Sequence, residues 1–191
     1  MKKSKLVLFV FSLLFLFSCN QSKSEGFEVG QKAPQFSAQN QDGEIWNSSS
    51  LAGKMNMVVY FYPAAMTGGC TKQACSYRDI SSELKKYDAR VIGISGDNVE
   101  NLKIFQQENR LNFTLLSDPQ GKIATKFGVP INQGGEIERK VDGELVKLKR
   151  GSTINRWTFV IDKKGNIVYK DTSVNVLKDS ENVIDVLKKL E

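Results

Sequence analysis

Tyr60-Phe61-Tyr62-Pro63-Ala64-Ala65-Met66-Thr67-Gly68-Gly69-Cys70-Thr71-Lys72-Gln73-Ala74-Cys75 reads as an apolar strand that passes through a Pro- and Gly-bearing turn into a helix. Met57 to Tyr62 is a short run of β-branched and aromatic residues, the pattern of a strand buried on both faces. Pro63 ends that strand, and Lys72 to Lys86 has the composition of a helix. Cys70 therefore falls at a helix start, where unpaired backbone N–H groups and the positive end of the helix dipole favour an anion. A sulfur placed there is stabilised as the thiolate, the attacking form of cysteine.

Outward from this stretch the chain alternates between strands and helices. Before it, from Gly30, two short extended pieces flank Asp42-Gly43, a hairpin signal, and Ser48 to Leu51 reads as one helical turn. After it, Ala89 to Ser95 is an apolar strand closed by Gly96-Asp97. Asp97 or Asn98 caps a helix through Arg110 with Leu102, Ile104 and Phe105 on one face. Phe113 to Leu116 is a short strand, and Gly121 to Phe127 a short helix stopped by Gly128 and Pro130. Such an order predicts one α/β domain with right-handed crossovers and a partly parallel sheet.

The C-terminal third reads as antiparallel. Alternation in Glu136 to Lys149 around Asp142-Gly143 predicts a second hairpin carrying Arg139, Lys140, Lys147, Lys149 and Arg150. Its charges read as a solvated face, with docking to an acidic partner or lipid headgroups as the sharper alternative. Asn155 to Asp162 is a strand, Lys163 to Asn166 a turn, and Ile167 to Lys170 the returning strand. Asp179 or Ser180 is placed as the cap of a last helix whose Val183, Ile184, Leu187 and Leu190 cover the sheet.

The N-terminus has a different character. Lys2, Lys3 and Lys5 precede an apolar run from Leu6 to Phe17 that is too short to span a bilayer, and Leu16-Phe17-Ser18-Cys19 resembles a bacterial lipobox. The expected organisation is a signal peptide over 1–18, a polar tether over 19–26 and one domain over 27–191, with lipid on Cys19. Removing Cys19 from the three cysteines leaves Cys70 and Cys75 as a pair. The expected location is the bacterial cell envelope, facing the periplasm where an outer membrane exists. The formal charge of +6 includes the three leader lysines; the +3 that remains is too mild for a nucleic-acid partner. Histidine is absent, which removes a histidine-based hydrolase and, with two cysteines, a zinc site. The chain also lacks the Gly-x-Gly-x-x-Gly of a dinucleotide site, so no cofactor is expected.

Pro63, Thr67 and Cys70 stand in a P-x-x-x-T-x-x-C pattern that resembles the peroxiredoxins, and Cys75 five residues on resembles their bacterioferritin-comigratory, Q-type subgroup. Arg156-Trp157-Thr158-Phe159-Val160-Ile161-Asp162 is a second stretch similar to that family. The resemblance implies a thioredoxin-like fold with a mixed central sheet flanked by helices and an N-terminal β-hairpin. It further implies a peroxidase without metal or cofactor, in which Cys70 attacks the peroxide and Cys75 resolves the product as an intramolecular disulfide. Arg156 would point at the sulfur, Thr67 would supply a hydroxyl, and Pro63 would cover the site. A thioredoxin-like donor would restore the thiols, and the protein is expected to be a monomer held to a membrane by its lipid.

Two other readings share these residues. A membrane-tethered thioredoxin-like thiol-disulfide oxidoreductase would have the same fold and cysteine pair, although its usual spacing is C-x-x-C. A non-enzymatic binding lipoprotein would use Cys70 and Cys75 as an inert staple. Residues i and i+5 of a regular helix have Cα atoms about 8.7 Å apart, beyond the roughly 7 Å that a disulfide tolerates. A bond between Cys70 and Cys75 would thus require their helix to unwind.

Overall fold

The computed structural model describes residues 27–190. The expected signal peptide, lipidated Cys19 and tether lie outside the described residues. Strands β1 (Ser37–Gln39) and β2 (Ile45–Asn47) form the expected N-terminal hairpin about Asp42-Gly43, and one 3-10 turn follows at Ser48–Ser50. The central strand β3 (Asn56–Phe61) is buried along its whole length. Helices α1 (Gly68–Asp79) and α2 (Ser81–Lys86) lead to β4 (Ala89–Ser95). Then come α3 (Val99–Asn109), β5 (Thr114–Ser117) and α4 (Lys122–Lys126). The hairpin β6 (Ile131–Val141) and β7 (Glu144–Ile154) precedes β8 (Trp157–Ile161), β9 (Ile167–Asp171) and α5 (Asp179–Lys188).

The sheet has the order β5-β4-β3-β8-β9, with β3–β4 and β4–β5 parallel and β3–β8 and β8–β9 antiparallel. This is the mixed sheet of a thioredoxin-like α/β fold. Alternation along β3 divides the core. Val58 and Tyr60, with Tyr62 beyond the strand, pack against residues of α1, α3 and α5. Met57, Val59 and Phe61 pack against Phe36, residues of α4, Phe127 and Phe159. Because β3 and β4 run parallel, both end at one edge, where α/β sheets form their ligand crevices. The register Phe61 to Trp157 brings the start of β8, and Arg156 just before it, to that same edge.

Several expectations are corrected. The helix expected over Lys72 to Lys86 begins earlier, at Gly68, and Ile80 (φ −92°, ψ 11°) divides it into α1 and α2. Asn112 Nδ2 stabilises the break by donating to Arg78 O (3.3 Å) and Ser81 Oγ (3.0 Å). β8 starts at Trp157 rather than Asn155, because Asn155 N–H is bonded to Pro130 O (2.9 Å) at the base of the hairpin. Asp179 does not cap α5: Lys178 holds that position, and Asp179 is the first helical residue with its carboxylate turned inward. Leu190 lies past the helix and is 39 % exposed, so only Val183, Ile184 and Leu187 of the expected four are buried.

The second hairpin forms where the alternation placed it, with Asp142 (φ 49°) and Gly143 (φ 90°) in the left-handed pair that a two-residue turn requires. Its arms are longer than read and make a separate two-stranded sheet. Its base lies hard against the end of β4: a Cβ on Gly96 would stand 2.0 Å from Ser152 O, so this contact requires glycine.

Candidate active site

Cys70 occupies the third residue of α1 and is 2 % exposed, among the apolar side chains under Tyr60 and Tyr62. The first intrahelical bond is Thr71 N–H to Thr67 O (2.8 Å), so the N–H groups of Gly68, Gly69 and Cys70 are the unpaired donors of the helix start. Arg156 reaches over from the neighbouring strand end, and its Nη2 donates to Cys70 Sγ at 3.3 Å. The sulfur therefore has a guanidinium beside it and the positive end of α1 behind it.

Arg156 is not free to swing. Its Nη1 donates to Gln73 Oε1 at 2.5 Å, and Gln73 Nε2 donates to Asp179 Oδ2 at 2.6 Å. Asp179 Oδ2 also accepts from Tyr77 OH (2.6 Å) and Thr158 Oγ1 (3.0 Å). Burial pushes the Asp179 carboxyl above the ordinary carboxylate range, while the hydrogen bonds from Tyr77, Gln73 and Thr158 act in the opposite direction. A buried polar chain thus runs from α5 through α1 to the guanidinium and the sulfur.

The loop between β3 and α1 is held by a second carboxylate. Asp97 Oδ2 accepts from Ala65 N–H (2.8 Å) and Ser95 Oγ (2.8 Å), tying the loop to the end of β4. Burial raises the Asp97 carboxyl, opposed by these same bonds. Met66 adopts φ 58°, uncommon for a side-chain-bearing residue, and its carbonyl accepts from Arg139 Nε of the β6–β7 hairpin at 2.8 Å. The hairpin thereby buttresses the loop from outside.

Of the residues singled out in the sequence, Cys70 and Arg156 meet directly. Thr67 precedes the first turn with extended dihedrals, and its hydroxyl donates to Ala64 O (2.9 Å), which leaves the oxygen's acceptor side open. Pro63 is half-buried on the loop that follows β3. Cys75 lies further along α1, half-buried, with Sγ 4.0 Å from Asn109 Oδ1; both cysteines are free thiols. Sequence reasoning missed Gln73, Asp97, Arg139 and Asp179. Gln73 alone had a signal, since a polar residue three positions from Cys70 shares its helix face.

Residues 29–170 match the AhpC/TSA family. The chain is 39 % identical over 164 residues to the chloroplastic peroxiredoxin Q of Populus jackii, covering 85 % of this chain and 67 % of that one. It is 41 % identical over 140 residues to the chloroplastic peroxiredoxin Q of Triticum aestivum, of which it spans only 57 %. The putative peroxiredoxin bcp of Coxiella burnetii is 40 % identical over 140 residues, 73 % of this chain and 85 % of that protein. Among solved structures, peroxidoxin BcpB from Mycobacterium tuberculosis superposes with a TM-score of 0.72 at 31 % identity, covering 86 % of this chain and 98 % of that one. Peroxiredoxin Q from Xanthomonas campestris gives 0.66 at 27 % identity, over 81 % and 90 %. The match over most of the described domain, and the shared fold that it predicts, establish that the chain belongs to the AhpC/TSA family.

Proposed function

We propose that this chain is a thiol-dependent peroxidase that reduces hydrogen peroxide or organic hydroperoxides. The observation that carries the reading is the Arg156 Nη2 to Cys70 Sγ contact of 3.3 Å at the start of α1. The Cys70 thiolate attacks one peroxide oxygen in line with the O–O bond. That bond breaks, and the departing oxygen leaves as water or an alcohol after taking a proton. Charge that develops on the two oxygens is met by the Arg156 fork and by the N–H groups at the helix start, donors already fixed in place. Cys70 becomes a sulfenic acid. The Cys75 thiol then attacks the Cys70 sulfur, an S–S bond forms and water leaves. A thioredoxin-like dithiol returns both residues to thiols by exchange.

The separation of the cysteines supports this order of events over an oxidoreductase of the C-x-x-C kind. With both in α1, five residues apart, a disulfide cannot form until part of the helix unwinds. The reduced protein keeps Cys70 in the wound helix beside Arg156, and the oxidised protein has a loosened α1. We infer from the sequence that Cys19 carries lipid and holds the domain to a membrane of the bacterial envelope, and that the enzyme acts as a monomer with an intramolecular disulfide.

Consumption of hydrogen peroxide in the presence of a thiol reductant, compared between wild type and Cys70→Ser, tests the reading. Turnover by wild type and none by the variant is expected. Equal turnover would overturn it. Palmitate incorporation that survives Cys19→Ala would count against the lipid anchor.

A further inference from the structure

Asp179 is fully buried at the first position of α5, and one carboxylate oxygen makes all the side-chain hydrogen bonds that it has with the described residues. Oδ2 accepts from Gln73, Tyr77 and Thr158, while Oδ1 has no partner among the described residues. Two of those three donors belong to α1. The adjacent Ser180 hydroxyl meets the hydroxyl of Ser76, also in α1. α5 therefore grips α1 at positions 73, 76 and 77, one face of one turn. Gln73 lies between the two cysteines, and the other two follow directly on Cys75. At its other end Gln73 accepts Arg156 Nη1. The residue that fixes the guanidinium is thus the one that must leave when α1 unwinds.

We propose that Asp179 is a positioning residue that couples the two halves of the catalytic cycle. While α1 is wound, Asp179 holds Gln73, and Gln73 holds Arg156 against Cys70. When Cys70 and Cys75 join, the unwound segment carries Gln73 away from a buried acceptor whose other oxygen has no partner among the described residues. Removing a donor from a buried acceptor is costly where water does not replace it. Asp179 therefore raises the free energy of the disulfide form relative to the dithiol form, and rewinding on reduction restores Arg156 with it. Both effects act on one helix through one side chain, which makes them reciprocal.

The coupling rests on the Cys70–Cys75 disulfide of the peroxidase reading, and the test separates the two. Wild type, Asp179→Asn and Asp179→Ala are equilibrated in dithiothreitol redox buffers, and the disulfide fraction is read by mass spectrometry. The rate of the reduced proteins with hydrogen peroxide is read by stopped flow. In Asp179→Asn the equilibrium should move toward the disulfide by about tenfold, about 30 mV more negative for a two-electron couple. The reaction with peroxide should slow by about tenfold. Gln73→Leu, which cuts the same link from α1, should move both in the same directions. Leu187→Ala truncates a buried side chain of α5 remote from the link and should lower the melting temperature while leaving both constants unchanged. Wild-type values in Asp179→Asn and Gln73→Leu, or equal shifts in Leu187→Ala, would overturn the coupling alone. A wild type that forms no Cys70–Cys75 disulfide at any poise would overturn the peroxidase reading and the coupling together.

Discussion

The two faces of the central sheet differ in what they bury. Below β3, Phe36, Phe61, Phe127 and Phe159 pack in edge-on and tilted pairs with centroids 5.1 to 6.0 Å apart, and the cluster around them is apolar. Above β3, the equivalent positions are Tyr60 and Tyr62, next to Tyr77, Cys70 and the Asp179 carboxylate. The hydroxyls of Tyr60 and Tyr62 have no partner among the described residues, and burial pushes both far above the ordinary tyrosine range. A dry face has many near-equivalent contacts and no directional ones. On the upper face a few directional bonds add to the apolar packing of α1, and they break together. In the proposed cycle the lower face supplies stability that does not change with redox state, and the upper face carries the helix that is released when the disulfide forms.

Four substitutions separate the roles of the two faces. Cys70→Ser should abolish peroxide-dependent turnover while the chain stays folded, since serine is nearly isosteric; retained turnover would remove the chemistry from the upper face. Phe159→Ala should lower unfolding stability by about 3 to 5 kcal/mol in denaturant titration, with the peroxide rate of the folded fraction unaltered. A rate that falls with it would mean that the faces are not independent. Arg156→Ala should raise the barrier of the peroxide step by about 3 kcal/mol, read by stopped flow, and an unchanged rate would return Arg156 to a surface role. Gly68→Pro should stabilise the reduced protein by about 0.4 to 1 kcal/mol. Gly68 is the first residue of α1, Thr67 before it is extended, and a Cβ there meets nothing within 4 Å. A lower melting temperature would refute that account of the helix start.

Acidity offers a further probe of the upper face. Burial raises the folded-state pKa of Asp179 above its unfolded value of 3.8, so the folded chain binds that proton more tightly than the unfolded one. Its contribution is therefore greatest below about pH 4 and declines as the pH rises through the folded-state value. The stability of wild type relative to Asp179→Asn should fall as the pH rises above about 4 in thermal melts. A difference that rises with pH would show that the hydrogen bonds outweigh burial.

Local patterns made the lower face and the sheet legible, and sequence-distant contacts hid most of the upper face. Met57 to Tyr62 and Ala89 to Ser95 declare buried strands by composition, and Asp142-Gly143 declares a hairpin by turn chemistry. Cys70 and Arg156 were found because each stands in a recognisable short stretch. Asp179 reads as a cap, since an acidic residue before an amphipathic helix usually is one. Its carboxylate instead accepts hydrogen bonds from Gln73, 106 residues away, and from Thr158 across the sheet. Asp97 likewise read as the end of a strand, whereas its carboxylate fixes Ala65, 32 residues earlier. Arg139 reads as part of a solvated face, whereas its Nε donates to the carbonyl of Met66, 73 residues earlier.

The claim that α1 is releasable while the sheet and its lower face are not is tested most directly by amide hydrogen exchange on the dithiol and disulfide forms of the wild-type protein. Protection should be lost across Cys70 to Arg78 in the disulfide form and kept in β3, β8 and α4, with the oxidised protein migrating as a monomer on a non-reducing gel. Equal protection of α1 in both forms, or a disulfide-linked dimer, would contradict it.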